Sequence, residues 1–140
     1  MSLFVLALIA AILNLLLGFV WHGPLFGKKW AYALGMSRED MVMDKSAQRA
    51  MYIRMAINTV AGYIMAFVTF LFLVNFNVDS FGSVATIMGV IFVGFILPHQ
   101  VVTNLWNGRP AQDALKLFGI SAGYQIINFL IWALVFTLLA

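Results

Sequence analysis

The sequence predicts an all-α integral membrane protein: a four-helix bundle with a short interfacial helix between the first and second spans. Hydrophobic residues make up 64% of the 140 residues and charged residues only 9%, whereas soluble domains are about half apolar and about a quarter charged. Four apolar runs are each long enough to cross a hydrocarbon core of about 30 Å. They lack the alternation of barrel strands, so they are expected to be helices.

The predicted spans cover residues 3–21, 55–74, 81–103 and 117–139 of a single transmembrane domain, 1–140. The first run has no preceding positive charge and is followed by Trp-His-Gly-Pro rather than a small-x-small cleavage site. This favours a span over a cleaved signal peptide. The second and third connections are short, and the first is the only long one.

The long connection, 22–54, is expected to contain two helical segments. The first is the interfacial helix, and four apolar residues at helical spacing share one of its faces: Phe26, Trp30, Ala33 and Leu34. Gly35 suits its C-terminal cap. Ser37, followed by Arg38, Glu39 and Asp40, is typical of an N-cap with acidic residues in the first turn. It predicts a helix that continues through Met51 into the second span.

The basic residues predict the orientation of the bundle. All of them lie in or beside the first and third connections: Lys28, Lys29, Arg38, Lys45, Arg49, Arg54, Arg109 and Lys116. The positive-inside rule places those connections in the cytoplasm and both termini outside. The net charge of +3 is not arranged as the continuous basic face that nucleic-acid binding requires, so no nucleic-acid partner is expected.

The polar residues of the spans predict a vestibule that opens to the cytoplasm. Polar groups in spans face other helices or water, because contact with lipid is costly. Asn14, Gly18 and His22 form a stripe on the first span. The candidate vestibule residues, which lie mainly in the cytoplasmic half, are His22, Arg54, Asn58, His99, Gln100, Asn104, Gln125 and Asn128. The alternative for each of them is helix packing through interhelical hydrogen bonds.

The sequence contains little that indicates catalysis or a bound cofactor. Cysteine is absent, and no pattern supplies a metal site, an activated nucleophile or a phosphate loop. Neither an enzymatic activity nor a cofactor is predicted. His22 and His99, at similar depth, leave open axial haem ligation or proton relay; the alternative is ordinary hydrogen bonding at the interface. Pro98 is expected to kink the third span.

Two stretches carry a family resemblance. The first runs from Trp21 to Trp30 (Trp-His-Gly-Pro-Leu-Phe-Gly-Lys-Lys-Trp) and is followed by Gly-Met-Ser at 35–37; the second is Trp-Asn-Gly-Arg-Pro at 106–110, followed by Ala-Gly-Tyr at 122–124. Together they resemble domain-of-unknown-function family 1761, small bacterial four-span membrane proteins. The resemblance implies the four-span architecture and the bacterial cytoplasmic (inner) membrane, but no activity.

The shared residues of these stretches have a physical interpretation as an interface and turn motif. They are Trp21, Pro24, Gly27, Trp30, Trp106, Gly108, Arg109 and Pro110. The tryptophans are expected to form an aromatic belt at one membrane interface. Pro24 and Gly27 would turn the chain out of the membrane, and Arg109 would cap the turn or meet lipid phosphates.

The leading hypothesis for function is a small homo-oligomeric membrane protein with a channel- or transport-related role, because four helices enclose little space and small-residue faces favour self-association. One alternative is a scaffold or accessory subunit of a larger membrane complex. Another is a haem- or lipid-binding membrane protein.

Overall fold

The computed structural model describes residues 1–37, 39–40 and 42–140. Its described residues form helices and no strand, as predicted. The helices are α1 (Leu3–Val20), α2 (Gly27–Ala33), α3 (Lys45–Asn75), α4 (Phe81–Ile91), α5 (Leu97–Leu105) and α6 (Ala111–Leu139). π-helical turns at Trp21–Leu25 and Phe92–Ile96 extend α1 and join α4 to α5.

Within the described residues, four continuous helical stretches are long and apolar enough to cross a membrane: Leu3–Leu25, Lys45–Asn75, Phe81–Leu105 and Ala111–Leu139. Each contains one of the predicted spans. α1 and α6 are the central pair: α3 packs on α1, while α4 and α5 pack on α6. Only 11% of the most apolar part of Phe81–Leu105 is buried, against 33% for Ala111–Leu139, so the third stretch is peripheral.

The apolar core lies at one end of the bundle. Both termini and the 76–80 turn are at this end, which we call the terminus end; the other, with the 22–44 and 106–110 connections, is the basic end. Fully buried core residues come from all four stretches: Leu6, Ala10, Phe70, Leu73, Val84, Met88 and Trp132. The Trp132 indole donates a hydrogen bond to the Ala10 carbonyl oxygen over 3.3 Å. The terminus end is therefore the tightly packed half.

The short helix predicted in the first connection is present, as α2. Gly35 directly follows Leu34, the C-cap of α2. Its φ of +80° is left-handed, and the amide of its neighbour Met36 donates to the Ala31 carbonyl at 3.0 Å. This is the Schellman pattern that favours glycine. Ala31 and Ala33 are buried, and the helix packs on the start of α6.

The predicted helix start at Ser37 is wrong. α3 begins at Lys45, with the Asp44 carboxylate as N-cap accepting from the Ala47 amide at 2.7 Å. Ser37 instead donates to the Asp40 carboxylate through its hydroxyl and its amide. These two hydrogen bonds hold the pKa of Asp40 below its usual value. Arg38, which also belongs to the predicted cap sequence, lies outside the described residues.

The helix is irregular just before Pro98, where a kink is expected. A π-helical turn at Phe92–Ile96 ends two residues before the proline. Proline donates no backbone hydrogen bond and crowds the carbonyl four residues earlier, here Gly94. The π-helical turn contains that residue.

Candidate functional site

A buried polar contact joins the central helices. The Tyr124 hydroxyl donates to the Asn14 main-chain carbonyl over 2.9 Å and also contacts the side-chain oxygen of Asn14. Asn14 is only 6% exposed. On its other side lies Gly62 of α3, where an added Cβ would be 2.7 Å from the Asn14 amide nitrogen. Asn14 thus lies where α1, α3 and α6 meet.

Aromatic side chains surround His22, about two helical turns nearer the basic end than Asn14. The His22 ring centroid is 5.3 Å from those of both Tyr124 and Trp30. The adjacent Trp21 indole donates to the Ile120 carbonyl over 2.9 Å, and Gly123 is close enough that a Cβ there would lie 3.0 Å from the Trp21 ring. These contacts fix the π-helical turn against α6.

The structure divides the eight candidate vestibule residues by exposure. Arg54 and Asn58 are exposed on α3, and His99 is exposed on α5. The other five residues are half-buried or buried: His22, Gln100, Asn104, Gln125 and Asn128. The protomer thus places part of the predicted set in helix contacts and part on its outer surface.

Gln100 connects α5 to α6 with a weak hydrogen bond. Its side-chain nitrogen lies 3.5 Å from the Ser121 carbonyl, while its buried Oε1 has no partner among the described residues. Asn104 donates back to the Gln100 carbonyl over 3.0 Å. The side-chain oxygen of Gln100 therefore accepts no hydrogen bond from the described residues.

Asn128 is a second polar group with unmet hydrogen bonds. It is 0% exposed, and neither its amide oxygen nor its amide nitrogen has a partner within the described part of the chain. Buried side-chain amides normally have partners, because an unpaired one costs free energy. The packing interpretation, in which asparagine supplies an interhelical hydrogen bond, is satisfied by Asn14 in this protomer but not by Asn128.

The interface and turn motif lies at the basic end. Pro24 is inside the first π-helical turn, and Gly27 opens α2 where an added Cβ would be 2.6 Å from the His22 carbonyl oxygen. Gly108 has a left-handed φ of +74°. Pro110 precedes the first residue of α6. The glycines serve the two turns that the motif predicted.

Arg109 and the tryptophans complete the motif. The Arg109 guanidinium donates to the Ala33 carbonyl at the end of α2 over 3.3 Å, so it links the third connection to the first. Trp106 is 84% exposed, whereas Trp21 and Trp30 are half-buried.

The chemistry available at these positions is hydrogen bonding. The polar atoms belong to amides, a phenol and an imidazole, and within the described residues no group of three or more His, Cys, Asp or Glu side chains could hold a metal ion. The Asn14–Tyr124 pair was not among the predicted site residues. The stripe of Asn14, Gly18 and His22 indicated the inward face of α1, but one sequence does not give the register of α1 against α6.

These features define an all-helical protein with four helices of membrane-spanning length and hydropathy, which indicates a membrane protein. The chain belongs to the family described as Protein of unknown function (DUF1761), whose model matches residues 5–137. The predicted family resemblance is therefore confirmed. Comparisons with curated proteins and with solved structures find no match.

Proposed function

We propose that the protein is a homo-oligomer of the bacterial cytoplasmic membrane, with both termini outside, in which a polar vestibule between protomers admits a small solute or ion from the cytoplasm. The observation that carries the proposal is the exposure of Arg54, Asn58 and His99 on the protomer surface. Polar groups on membrane helices face protein or water rather than lipid. A second copy supplies that cover.

The position of the apolar core supports a pathway between protomers over one within a protomer. Leu6, Phe70, Leu73 and Trp132 are all 0% exposed at the terminus end, which leaves no polar route through the helices there. The third stretch, Phe81–Leu105, is the least buried of the four. It is therefore the surface most available to a neighbouring protomer.

Cysteine labelling tests the vestibule, because the native chain has no cysteine. Asn58→Cys is compared with Ile57→Cys, an adjacent exposed position on a different side of α3. In inside-out vesicles, a membrane-impermeant maleimide is expected to modify position 58 at least tenfold faster than position 57. Equal rates at both positions, or no reaction at position 58, would contradict the proposal.

Native mass measurement tests the proposed homo-oligomer, and flux assays test the proposed passage of a small solute or ion. The full chain in mild detergent is expected to give the mass of two or more protomers, whereas a single-protomer mass would contradict the homo-oligomer. Proteoliposomes are expected to pass a small ion that control liposomes retain. A stoichiometric second protein purified from native membranes, with no homo-oligomer, would instead favour an accessory subunit of a larger complex.

A further inference from the structure

A groove at the basic end combines an apolar lining with two lysines. It lies between the end of α1, the α2 segment and the start of α6, and its volume is about 230 Å³. Trp21, Phe26 and Ile120 line its apolar part, and Gly119 lies between them, where an added Cβ would meet nothing within 4 Å. Lys29 and Lys116 are the charged residues of the lining. We call this the Trp21–Gly119 groove.

We propose that the Trp21–Gly119 groove is a binding site for one anionic phospholipid. The acyl chain would lie on Trp21, Gly119 and Ile120, and the phosphate would meet the ammonium groups of Lys29 and Lys116. Basic pockets between membrane helices at the cytoplasmic side recognise anionic headgroups in this way.

The charges around the groove favour an anionic over a zwitterionic lipid. The two charged residues of the lining, Lys29 and Lys116, are both positive. The counter-charge is Asp113, 3.3 Å from the Lys116 ammonium in an exposed pair. Exposed pairs of this kind are weak, so Asp113 leaves Lys116 available to a phosphate. Two lysines against one carboxylate leave the groove with net positive charge.

Contacts within the fold hold the walls of the groove in place. The hydrogen bond from the Trp21 indole to the Ile120 carbonyl, 2.9 Å long, sets one wall, and the packing of α2 on α6 sets the other. Arg54, Asn58 and His99 are not among the residues that line the groove, so the lipid site does not rest on the exposure of those three residues.

Native mass spectrometry of the full chain in mild detergent tests the site. The protein is titrated with phosphatidylglycerol or with phosphatidylcholine of the same acyl chains. We expect one phosphatidylglycerol to bind at least tenfold more tightly than phosphatidylcholine. Equal affinity for the two lipids would overturn the proposal.

Variants locate the binding. Lys29→Gln and Lys116→Gln are each expected to weaken phosphatidylglycerol binding about fivefold, the effect of about one surface lysine, and the double variant about thirtyfold. Lys28→Gln, which removes the same charge beside the groove, is expected to change it less than twofold. An equal loss of phosphatidylglycerol affinity in all three single variants would overturn the proposal, because the lipid would then be attracted by the general positive charge of the surface rather than by the groove.

Gly119→Leu tests the apolar part, because the new side chain would occupy the acyl position. It is expected to weaken phosphatidylglycerol binding at least tenfold, while Gly82→Leu, at another open glycine, leaves it unchanged. Unchanged binding in Gly119→Leu would overturn the proposal. Loss of the oligomer with lipid binding intact would also overturn it, since a second copy would then occupy the groove.

Discussion

The Tyr124 hydroxyl and the Asn14 main-chain carbonyl, 110 residues apart in sequence, are joined by a 2.9 Å hydrogen bond. This contact links the first and last membrane-length helices at the point where the apolar core of the terminus end gives way to polar contacts. The Tyr124 hydroxyl also contacts the side-chain oxygen of Asn14. A single phenol hydroxyl thus contacts both oxygens of one buried residue.

Tyr124→Phe removes that donor and leaves both Asn14 oxygens without it. We expect the free energy of unfolding to fall by about 1–2 kcal/mol, the range for a hydrogen bond lost inside a membrane bundle or a buried polar group left unsatisfied. Reversible unfolding in mixed micelles with increasing dodecyl sulfate measures it. Tyr52→Phe is the control, because Tyr52 is 62% exposed; equal losses in the two variants would contradict a role for the Asn14 contact.

The number of membrane-length helices and most of their ends could be predicted from the sequence. The contacts between the helices could not. Apolar run length alone located the four stretches, and Gly35 located the end of α2, because both depend on residues close in sequence. The start of α3 was mispredicted because Ser37 and Asp44 both offer N-cap oxygens, and local pattern does not decide between them. The Asn14–Tyr124 pair depends on the register of α1 against α6, which no local pattern encodes.

The predicted vestibule residues also show that a local sequence pattern does not determine contacts between helices. Arg54, Asn58, Gly62 and Ala66 recur every four residues on α3 and therefore form a stripe on one face of that helix. Gly62 and Ala66 are buried, and Gly62 lies beside Asn14 of α1. Toward the basic end the same stripe becomes exposed at Asn58 and Arg54. Helical spacing identifies residues that share a face, but it does not say how far along the helix a neighbour continues.

Gly27→Ala is expected to destabilise the basic end, because an added Cβ would lie 2.6 Å from the His22 carbonyl oxygen. The contact is with backbone, so the π-helical turn itself would have to shift. Overpacking of this kind costs about 1–3 kcal/mol. Gly23→Ala is the matched control in the same junction, since its Cβ would meet nothing within 4 Å. Unfolding measurements that rank Gly23→Ala as the more harmful change would refute the close approach at Gly27.

Asn128→Leu and Asn14→Leu are expected to have opposite effects. Leucine has the same number of side-chain heavy atoms as asparagine, and at position 128 it removes two buried polar atoms that have no partner among the described residues. We expect a gain of about 1 kcal/mol there. At position 14 the same change keeps the main-chain carbonyl that accepts from Tyr124 but removes the side-chain oxygen that also contacts the Tyr124 hydroxyl, and it is expected to cost about 1 kcal/mol.

The comparison also bears on the proposed vestibule. Stability is measured by dodecyl sulfate unfolding, with the oligomer monitored by native mass measurement. Loss of stability in Asn128→Leu would mean that this amide has a partner that the isolated protomer does not supply, either water or a neighbouring copy. Retained stability together with loss of flux would favour a pathway within the protomer, because Asn128 is 0% exposed, and would contradict a pathway between protomers.

Arg109→Gln is expected to loosen α2 without unfolding the bundle. The guanidinium donates to the Ala33 carbonyl over 3.3 Å, and this is the hydrogen bond that holds the 106–110 turn against the end of α2. Without it, the amides of residues 29–36 should exchange with deuterium about fivefold to tenfold faster, as expected for a local opening made easier by about 1 kcal/mol. Amides in the core of α6 should keep their rates. Arg49→Gln, an exposed arginine on α3, is the control and should leave α2 unchanged; acceleration across the whole chain in Arg109→Gln would mean that the residue supports the global fold rather than this one link.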